Sequence, residues 1–131
     1  MAWMKVVNMA WTHEVSLDYP IVETTYSGIL SKEELVQAES EHIGIAKSLG
    51  TVLHLADCTG LEGGHSFSDL YLLVKSISSD RITMGIKEAI LLPYHPHARD
   101  LVRFWETAGE NHGIQVRAFI NRQNALEWLL L

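Results

Sequence analysis

The sequence predicts a single α/β domain with a mixed, mostly parallel sheet of about five strands and four helices. The order is β-β-α-β-α-β-α-β-α, and the first two strands form an N-terminal hairpin. Three observations predict this fold. Short runs of β-branched and apolar residues alternate with amphipathic stretches of helical length. Two of the runs are apolar throughout, as in strands covered on both faces, and 131 residues are enough for one core.

The hairpin is predicted near the N-terminus. Residues 14–17 alternate polar and apolar side chains, as a half-buried strand does. Asp18, Tyr19 and Pro20 provide turn chemistry, and residues 21–29 resume with β-branched and aromatic residues. We therefore expect two antiparallel strands at one side of the sheet.

A capping box marks the start of the first helix. The Ser31 hydroxyl and the Glu34 carboxylate can each satisfy a backbone amide of the first turn, and Gly50 can end the helix in a left-handed conformation. One face carries an apolar stripe that consists of Leu35, Ala38, His42, Ile45, Ala46 and Leu49. We expect the glutamates of this segment on the solvated side: Glu33, Glu34, Glu39 and Glu41.

The next strand, residues 51–56, is nearly continuous in apolar character, which is typical of the centre of a parallel sheet. His54 within it, like His42, is interpreted as a core or boundary histidine. Residues 57–65 are rich in glycine and are predicted to form a loop. Ser66 and Asp69 form a second serine-to-acid box, and the helix behind it has the apolar stripe Leu70, Leu73, Val74 and Ile77.

The C-terminal half repeats the alternation. Residues 89–92 form a second buried strand, which Pro93 ends. Pro96 suits the first turn of a third helix, where its missing amide costs little. Residues 114–120 alternate as a more exposed strand, and Asn121 can cap a last helix. The crossovers between parallel strands are expected to be right-handed.

Composition excludes several classes of function. The formal net charge of −6 disfavours nucleic acid, whose phosphates require clustered Lys and Arg. One cysteine, Cys58, cannot form an internal disulfide. The N-terminus lacks the pattern of a signal peptide, and no apolar run approaches the ~20 residues that span a bilayer. We therefore expect a cytoplasmic protein with no integral membrane segment, and leave peripheral membrane contact open.

The order of elements and several short motifs resemble the STAS domains and the SpoIIAA-like proteins, closest to the small bacterial group labelled SpoIIAA-like or STAS/SEC14-like. The residues that carry the resemblance are 53–57 (LHLAD), 68–71 (SDLY), 104–107 (FWET), 112–119 (HGIQVRAF) and 125–129 (ALEWL). The resemblance covers residues 11–131 and leaves residues 1–10 as an N-terminal extension. It implies a SpoIIAA-like fold.

The resemblance also implies a possible phosphorylation site. Phosphorylatable STAS proteins carry a regulatory serine in an Asp-Ser-Ser-Gly-like stretch after the central strand. The comparable place here reads Gly64-His65-Ser66-Phe67, so Ser66 is present without the motif. A phosphate on Ser66 would lie at a helix N-terminus, which favours negative charge. The alternative interpretation is that Ser66 is simply the helix N-cap.

The carboxyl ends of the strands are the expected place for polar ligands in such a sheet. Three predicted loops, residues 57–65, 93–97 and 120–122, meet there and carry Asp57, Cys58, His65, Tyr94, His95, His97 and Arg122. His65, His95 and His97 with Asp57 or Cys58 are suitable ligand types for zinc or another transition metal. The alternative function is therefore a metal-binding protein or metal-dependent hydrolase, although the spacing matches no zinc motif.

Apolar side chains suggest a different class of function. Phe67, Tyr71, Phe104 and Trp105, together with Leu72, can line a cleft between the second and third helices. The resemblance to SEC14-like lipid carriers implies a small apolar ligand or a lipid as cargo. We conclude that the chain is a non-catalytic, STAS-like regulatory or small-ligand-binding module without a cofactor. A protein partner and a homodimer are left open.

Overall fold

The strands build one sheet in the order of the chain. The computed structural model describes residues 5–7 and 10–131, and within these residues six strands lie side by side in sequence order. They are β1 (Lys5–Val7), β2 (Trp11–Val15), β3 (Ile21–Ile29), β4 (Leu53–Gly63), β5 (Lys87–Leu91) and β6 (Gln115–Phe119). The first two pairings are antiparallel and the other three are parallel. The predicted mixed sheet with its hairpin is confirmed, and β1 adds a short strand from within residues 1–10.

The predicted caps define where the helices start. The helices are α1 (Lys32–Leu49), α2 (Phe67–Met84), α3 (Pro96–Asn111) and α4 (Arg122–Leu129). Ser31 Oγ accepts from the Glu34 amide at 3.2 Å, and the Glu34 carboxylate accepts from the Ser31 amide at 3.0 Å. Ser66 and Asp69 repeat this box on α2, and the Asn121 side chain caps α4. The four predicted helices are therefore confirmed. Side-chain caps set the starts of α1, α2 and α4, whereas α3 starts at Pro96 without a side-chain cap.

Three helices cover one face of the sheet, and α4 covers the other. The parallel strands β3 to β6 lie side by side in chain order. Right-handed crossovers between such strands place every connecting helix on the same face of the sheet. Accordingly α1, α2 and α3 pack with Ala56, Cys58 and Ile90 in one apolar cluster. Helix α4 packs on the opposite face in a second cluster with Leu55 and Ala89. Strand β4 is thus buried on both faces, as its apolar run predicts.

The glycine-rich segment is strand rather than loop. The prediction of a loop over residues 57–65 is wrong, because β4 continues to Gly63. Strand β3 is nine residues long, and it pairs with β4 from Leu53 to Gly63 through two register shifts. Gly60 permits this pairing, since a Cβ atom there would lie 3.3 Å from Ser27 Cβ. A long parallel partner therefore draws this polar, glycine-rich stretch into the sheet.

Gly64 holds the junction between β4 and α2, and we expect Gly64→Ala to destabilise the protein strongly. Its φ is +105°, and a Cβ atom would lie 2.5 Å from the Leu30 carbonyl oxygen and 2.8 Å from the Leu30 nitrogen. Because both obstacles are backbone atoms, the free energy of unfolding should fall by about 3 kcal/mol. Urea denaturation measures this change.

Gly44→Ala is the matched control for that substitution. Gly44 lies in the interior of α1, and a Cβ atom there would meet nothing within 4 Å. Removing a helical glycine should stabilise the protein by up to about 1 kcal/mol. Equal denaturation midpoints for Gly64→Ala and the unsubstituted protein would show that the junction does not have this geometry.

None of the helices in the described residues combines the length and hydrophobicity that crossing a membrane requires.

Candidate functional site

A row of polar side chains crosses the face of the sheet that lies under α1, α2 and α3. It takes one residue from each of four adjacent strands: His13 from β2, Thr24 from β3, His54 from β4 and Glu88 from β5. His13 Nδ1 lies 2.8 Å from Thr24 Oγ1, which lies 3.0 Å from His54 Nε2. His54 Nδ1 lies 2.7 Å from Glu88 Oε2. All four side chains are buried, so this row is a continuous polar path through an otherwise apolar layer.

The row reaches the surface at Glu41 of α1. His13 Nε2 lies 3.1 Å from Glu41 Oε1, which also accepts a hydrogen bond from Trp11 Nε1 at 2.7 Å. Gln37 donates to the second oxygen at 3.2 Å. The Glu41 side chain is 29% exposed. One end of the row is therefore solvated and the other, at Glu88, is buried.

Arg81 joins two buried glutamates at the inner end of the row. Its Nε and Nη2 atoms donate to the two oxygens of Glu39, each at 2.8 Å. Nη2 also donates to Glu88 Oε2 at 3.2 Å, and Trp105 Nε1 donates to Glu88 Oε1 at 2.9 Å. Arg81 is 1% exposed, Glu39 5% and Glu88 3%. This cluster ties α1, α2, α3 and β5 together through charge-assisted hydrogen bonds.

The electrostatics keep these two carboxylates ionised and the neighbouring imidazole neutral. Burial alone would raise the pKa of Glu39 and Glu88. The Arg81 charge outweighs this effect, with contributions from the nearby His42 and His54 side chains. It holds the pKa of Glu39 well below its usual range and that of Glu88 at about 2. Burial lowers the pKa of His54 to about 4, against the opposing pull of Glu88. His42 stacks on His54 with ring centroids 3.7 Å apart.

A cavity of about 70 Å³ adjoins this cluster, between the sheet and the three helices. Glu39 and Glu88 form its polar end. Its apolar wall comes from α1, β4, α2, β5 and α3 and consists of Leu35, Ala56, Leu61, Leu70, Leu73, Ile90, Leu101 and Val102. Tyr26, Cys58, His65 and Trp105 complete the lining. Leu35 and His65 are only half-buried, so the cavity approaches the surface beside the first turns of α1 and α2.

The cavity holds Cys58 and Tyr26 in their protonated forms. Burial raises the pKa of the Cys58 thiol, and the carboxylates of Glu88 and Asp57 raise it further. Burial likewise raises the pKa of Tyr26 well above its usual value, with Glu39 adding to the effect. A thiol in these surroundings is a poor nucleophile, because the thiolate is the reactive form.

Of the four residues predicted to bind an apolar ligand, only Trp105 lines the cavity. Phe67, Tyr71 and Phe104 lie together outside it, with Leu72, in a groove on the surface of α2 and α3. The Phe67 and Phe104 rings meet edge to face with centroids 5.3 Å apart. The predicted cleft between these helices is therefore divided into a surface groove and an inner cavity.

The three histidines predicted as metal ligands make separate contacts, and His97 lies in the first turn of α3 rather than in a loop. His65 Nδ1 donates to the Leu30 carbonyl at 3.0 Å, and the His97 ring lies against Gly63. His95 is the exposed N-cap residue of α3 and makes no side-chain capping hydrogen bond. In the portion of the chain that the structure describes, no three side chains of His, Cys, Asp or Glu are grouped so that they could hold a metal ion. The geometry thus offers no ligand set built on His65, His95 and His97.

Other polar groups at this end of the sheet have local roles. Asp57 Oδ1 accepts from the amide and the hydroxyl of Thr59 at 3.0 and 2.7 Å. Arg122 Nη1 donates to Glu23 at 2.9 Å on the α4 face. Ser66 caps α2 as one of its two predicted interpretations requires.

The expectation that Glu39 is solvated is wrong. Glu39 follows Ala38 on the buried side of α1. The apolar residues of that side cannot pair with its carboxylate, and Arg81 of α2 does so. Arg81 itself continues the stripe of α2 one turn beyond Ile77. A charged residue in register with an apolar stripe indicates a buried charge, and this pattern was present in the sequence for Glu39 and Arg81. Glu88 shows a similar pattern, because the residues that follow it in β5 are apolar.

The architecture is similar to that of a solved structure. It is that of an uncharacterized protein from the DUF3478 family with a SpoIIAA-like fold, from Shewanella loihica PV-4. The alignment covers 98% of this chain and 94% of that chain, with a TM-score of 0.57 and 18% sequence identity. No protein-family profile matches the sequence, and no curated protein matches it significantly. The chain therefore has a SpoIIAA-like fold, and a likeness at this identity speaks for the fold alone.

Proposed function

We propose that this SpoIIAA-like domain is a non-catalytic module that binds a small apolar ligand in the cavity between its sheet and α1, α2 and α3. The observation that carries the proposal is the cavity itself. Its volume is about 70 Å³, and aliphatic side chains dominate its walls while two carboxylates stand at one end. Enclosed apolar pockets with a few convergent polar groups are typical small-molecule sites.

The size of the cavity favours a small ligand over a lipid. One water molecule occupies roughly 10–15 Å³ of such a cavity, so there is room for about five groups of that size. A fatty acid has roughly three times as many non-hydrogen atoms as this space accepts. A lipid would enter only if α2 and α3 moved apart, which would expose the Leu73 and Val102 side chains between them.

The chemistry of the lining supports binding rather than catalysis. The Cys58 thiol and the Tyr26 phenol are held protonated by burial. Arg81 engages both oxygens of Glu39 and one of Glu88. A general base needs a free lone pair within reach of its substrate and a pKa near the working pH, and neither carboxylate has such a pKa.

A bound ligand would act on the packing of the helices. The cavity takes lining residues from all three helices that cover this face of the sheet. Filling it adds contacts to Leu35, Leu73 and Val102 at once and braces the three helices against the sheet. We propose that this coupling is the regulatory output of the domain.

Filling the cavity with a side chain tests the proposal. Cys58→Leu places a larger apolar side chain in the lining, so we expect affinity for small alcohols such as isopentanol to fall at least tenfold. Titrations followed by amide NMR shifts measure this affinity. Phe67→Ser, on the surface groove, is the matched control and should leave binding unchanged. The opposite result, with binding lost in Phe67→Ser and kept in Cys58→Leu, would place the ligand in the groove and overturn the proposal.

A further inference from the structure

We infer that the ligand of the cavity carries a positively charged amine, which the carboxylates of Glu39 and Glu88 receive at the polar end. This inference rests on the proposed function and specifies the chemical class of the ligand. Three properties of the cavity lining support it: its hydrogen-bond acceptors, its net charge and its shape.

The two carboxylates have acceptor capacity that the protein leaves unused. An ionised carboxylate offers about four acceptor positions. Glu39 receives two hydrogen bonds, both from Arg81. Glu88 receives hydrogen bonds from the Trp105 indole and one Arg81 nitrogen, and His54 Nδ1 lies 2.7 Å from its Oε2. Both side chains line the cavity, so a donor placed at this end of it lies next to them.

The other polar groups of the lining are matched to the same kind of ligand. His65 donates through Nδ1 to the Leu30 carbonyl, so in the neutral ring Nε2 is a further acceptor. No lysine or arginine is present among the described residues that line the cavity. An ammonium group has three donors and no acceptor, so it complements the two carboxylates, while the Tyr26 hydroxyl and the Cys58 thiol can each accept as well as donate.

The charge of the cluster points in the same direction. Its ionised groups are Glu39, Glu88 and Arg81 and the neighbouring His54 is neutral, so one negative charge is unbalanced. Arg81 does not line the cavity, and both carboxylates do. A ligand thus meets the negative side of the cluster. Within a largely apolar enclosure this charge is weakly screened, which favours a cation and disfavours an anion.

The apolar wall requires that the rest of the ligand be a short hydrocarbon. Leu61, Leu70, Leu101 and Val102 surround the space away from the carboxylates. Room for about five water-sized groups suits a branched aliphatic chain of roughly that length. The inferred class is therefore a primary amine with a compact apolar body.

Three probes of matched shape test the inference on the full chain. Isopentylamine, isopentanol and isovalerate share one branched chain and differ in the charge of their head group. Titration near neutral pH, followed by amide NMR shifts, should give the amine an affinity at least tenfold above the alcohol. Isovalerate should bind more weakly still. A charge-assisted hydrogen bond is stronger than a neutral one, which sets this order.

The outcomes separate this inference from the proposed function. If the amine and the alcohol bind equally, and Cys58→Leu weakens both, the cavity is the site and the inference about charge fails. If isovalerate binds best, the inference fails in the same way. If none of the three binds, the proposed function fails and the inference falls with it.

A substitution at the polar end tests the role of the carboxylate. Glu39→Gln removes one negative charge and keeps the size of the side chain, so the preference for amine over alcohol should fall at least fivefold. Isopentanol affinity reports whether the cavity remains intact in this variant. An unchanged preference in a folded Glu39→Gln protein would overturn the inference. If that variant does not fold, the three probes on the unsubstituted chain decide the question.

Discussion

Arg81→Met is expected to lower the free energy of unfolding by about 3–5 kcal/mol, which is the largest effect of any single substitution we predict. Arg81 holds Glu39 with two hydrogen bonds and Glu88 with one, and all three side chains are buried. Methionine fills a similar volume but leaves two carboxylates without their counterion. Because a domain of this size is stable by only about 5–15 kcal/mol, urea denaturation will show the loss clearly.

Two further variants distinguish burial of charge from loss of packing. Arg103→Met removes an exposed pair with Glu106 at 3.4 Å and should change stability by less than about 0.5 kcal/mol. Adding Glu39→Leu to Arg81→Met should recover part of the loss, since one of the unpaired charges is then gone. A loss below about 1 kcal/mol in Arg81→Met would mean that the glutamates find other partners or take up protons at little cost.

The free energy of unfolding should fall with pH in the range where the histidines of the unfolded chain take up protons. The pKa of His54 is about 4 in the folded protein and 6.5 when unfolded. Between these values the unfolded chain binds more protons, so stability falls as the pH is lowered from 6.5 towards 4. A difference of about 2.5 pKa units corresponds to about 3 kcal/mol. His13, whose pKa is also lowered by burial, acts in the same direction.

The loss continues in stronger acid for a second reason. The pKa of Glu88 is about 2 when folded and 4.5 when unfolded, so its contribution is present above pH 4.5 and disappears as the pH falls towards 2. Urea midpoints measured between pH 7.5 and pH 3 follow both steps.

Two histidine variants assign the first of these steps. His54→Gln should flatten the slope between pH 6.5 and 4, whatever its effect on stability at neutral pH. His95→Ala, at an exposed position, should leave the slope as it is. A slope that survives in His54→Gln would assign the pH dependence to other groups.

Elements with local signals were predictable from the sequence. The caps at Ser31, Ser66 and Asn121 place three helix starts, because each side chain satisfies amides within its own first turn. Strand β4 differs in its second half. Residues 57–63 are polar and rich in glycine, and only the presence of a long parallel neighbour, β3, makes them strand. That partner is distant in sequence, so no local pattern predicts this extension.

The candidate site was predictable only in part. His42 and His54 were expected in the core or at its boundary, and their burial follows from their place in apolar stripes. The pairing of Glu39 with Arg81 joins residues 42 positions apart on two helices. Periodicity can show that a charged residue faces inward, but it cannot show which opposite charge meets it. The predicted loop histidines lie at the end of the sheet, whereas the polar cluster forms within the paired strands, at His54 and Glu88.

The row from Glu41 to Glu88 has one hydrogen fewer than its contacts require. Four links join Glu41, His13, Thr24, His54 and Glu88. Two neutral imidazoles and one hydroxyl have only three hydrogens to place in these links, and an ionised carboxylate at each end has none to give. One link is therefore always bare at neutral pH. A single added proton, taken up by His13 or His54, supplies the missing hydrogen and completes all four.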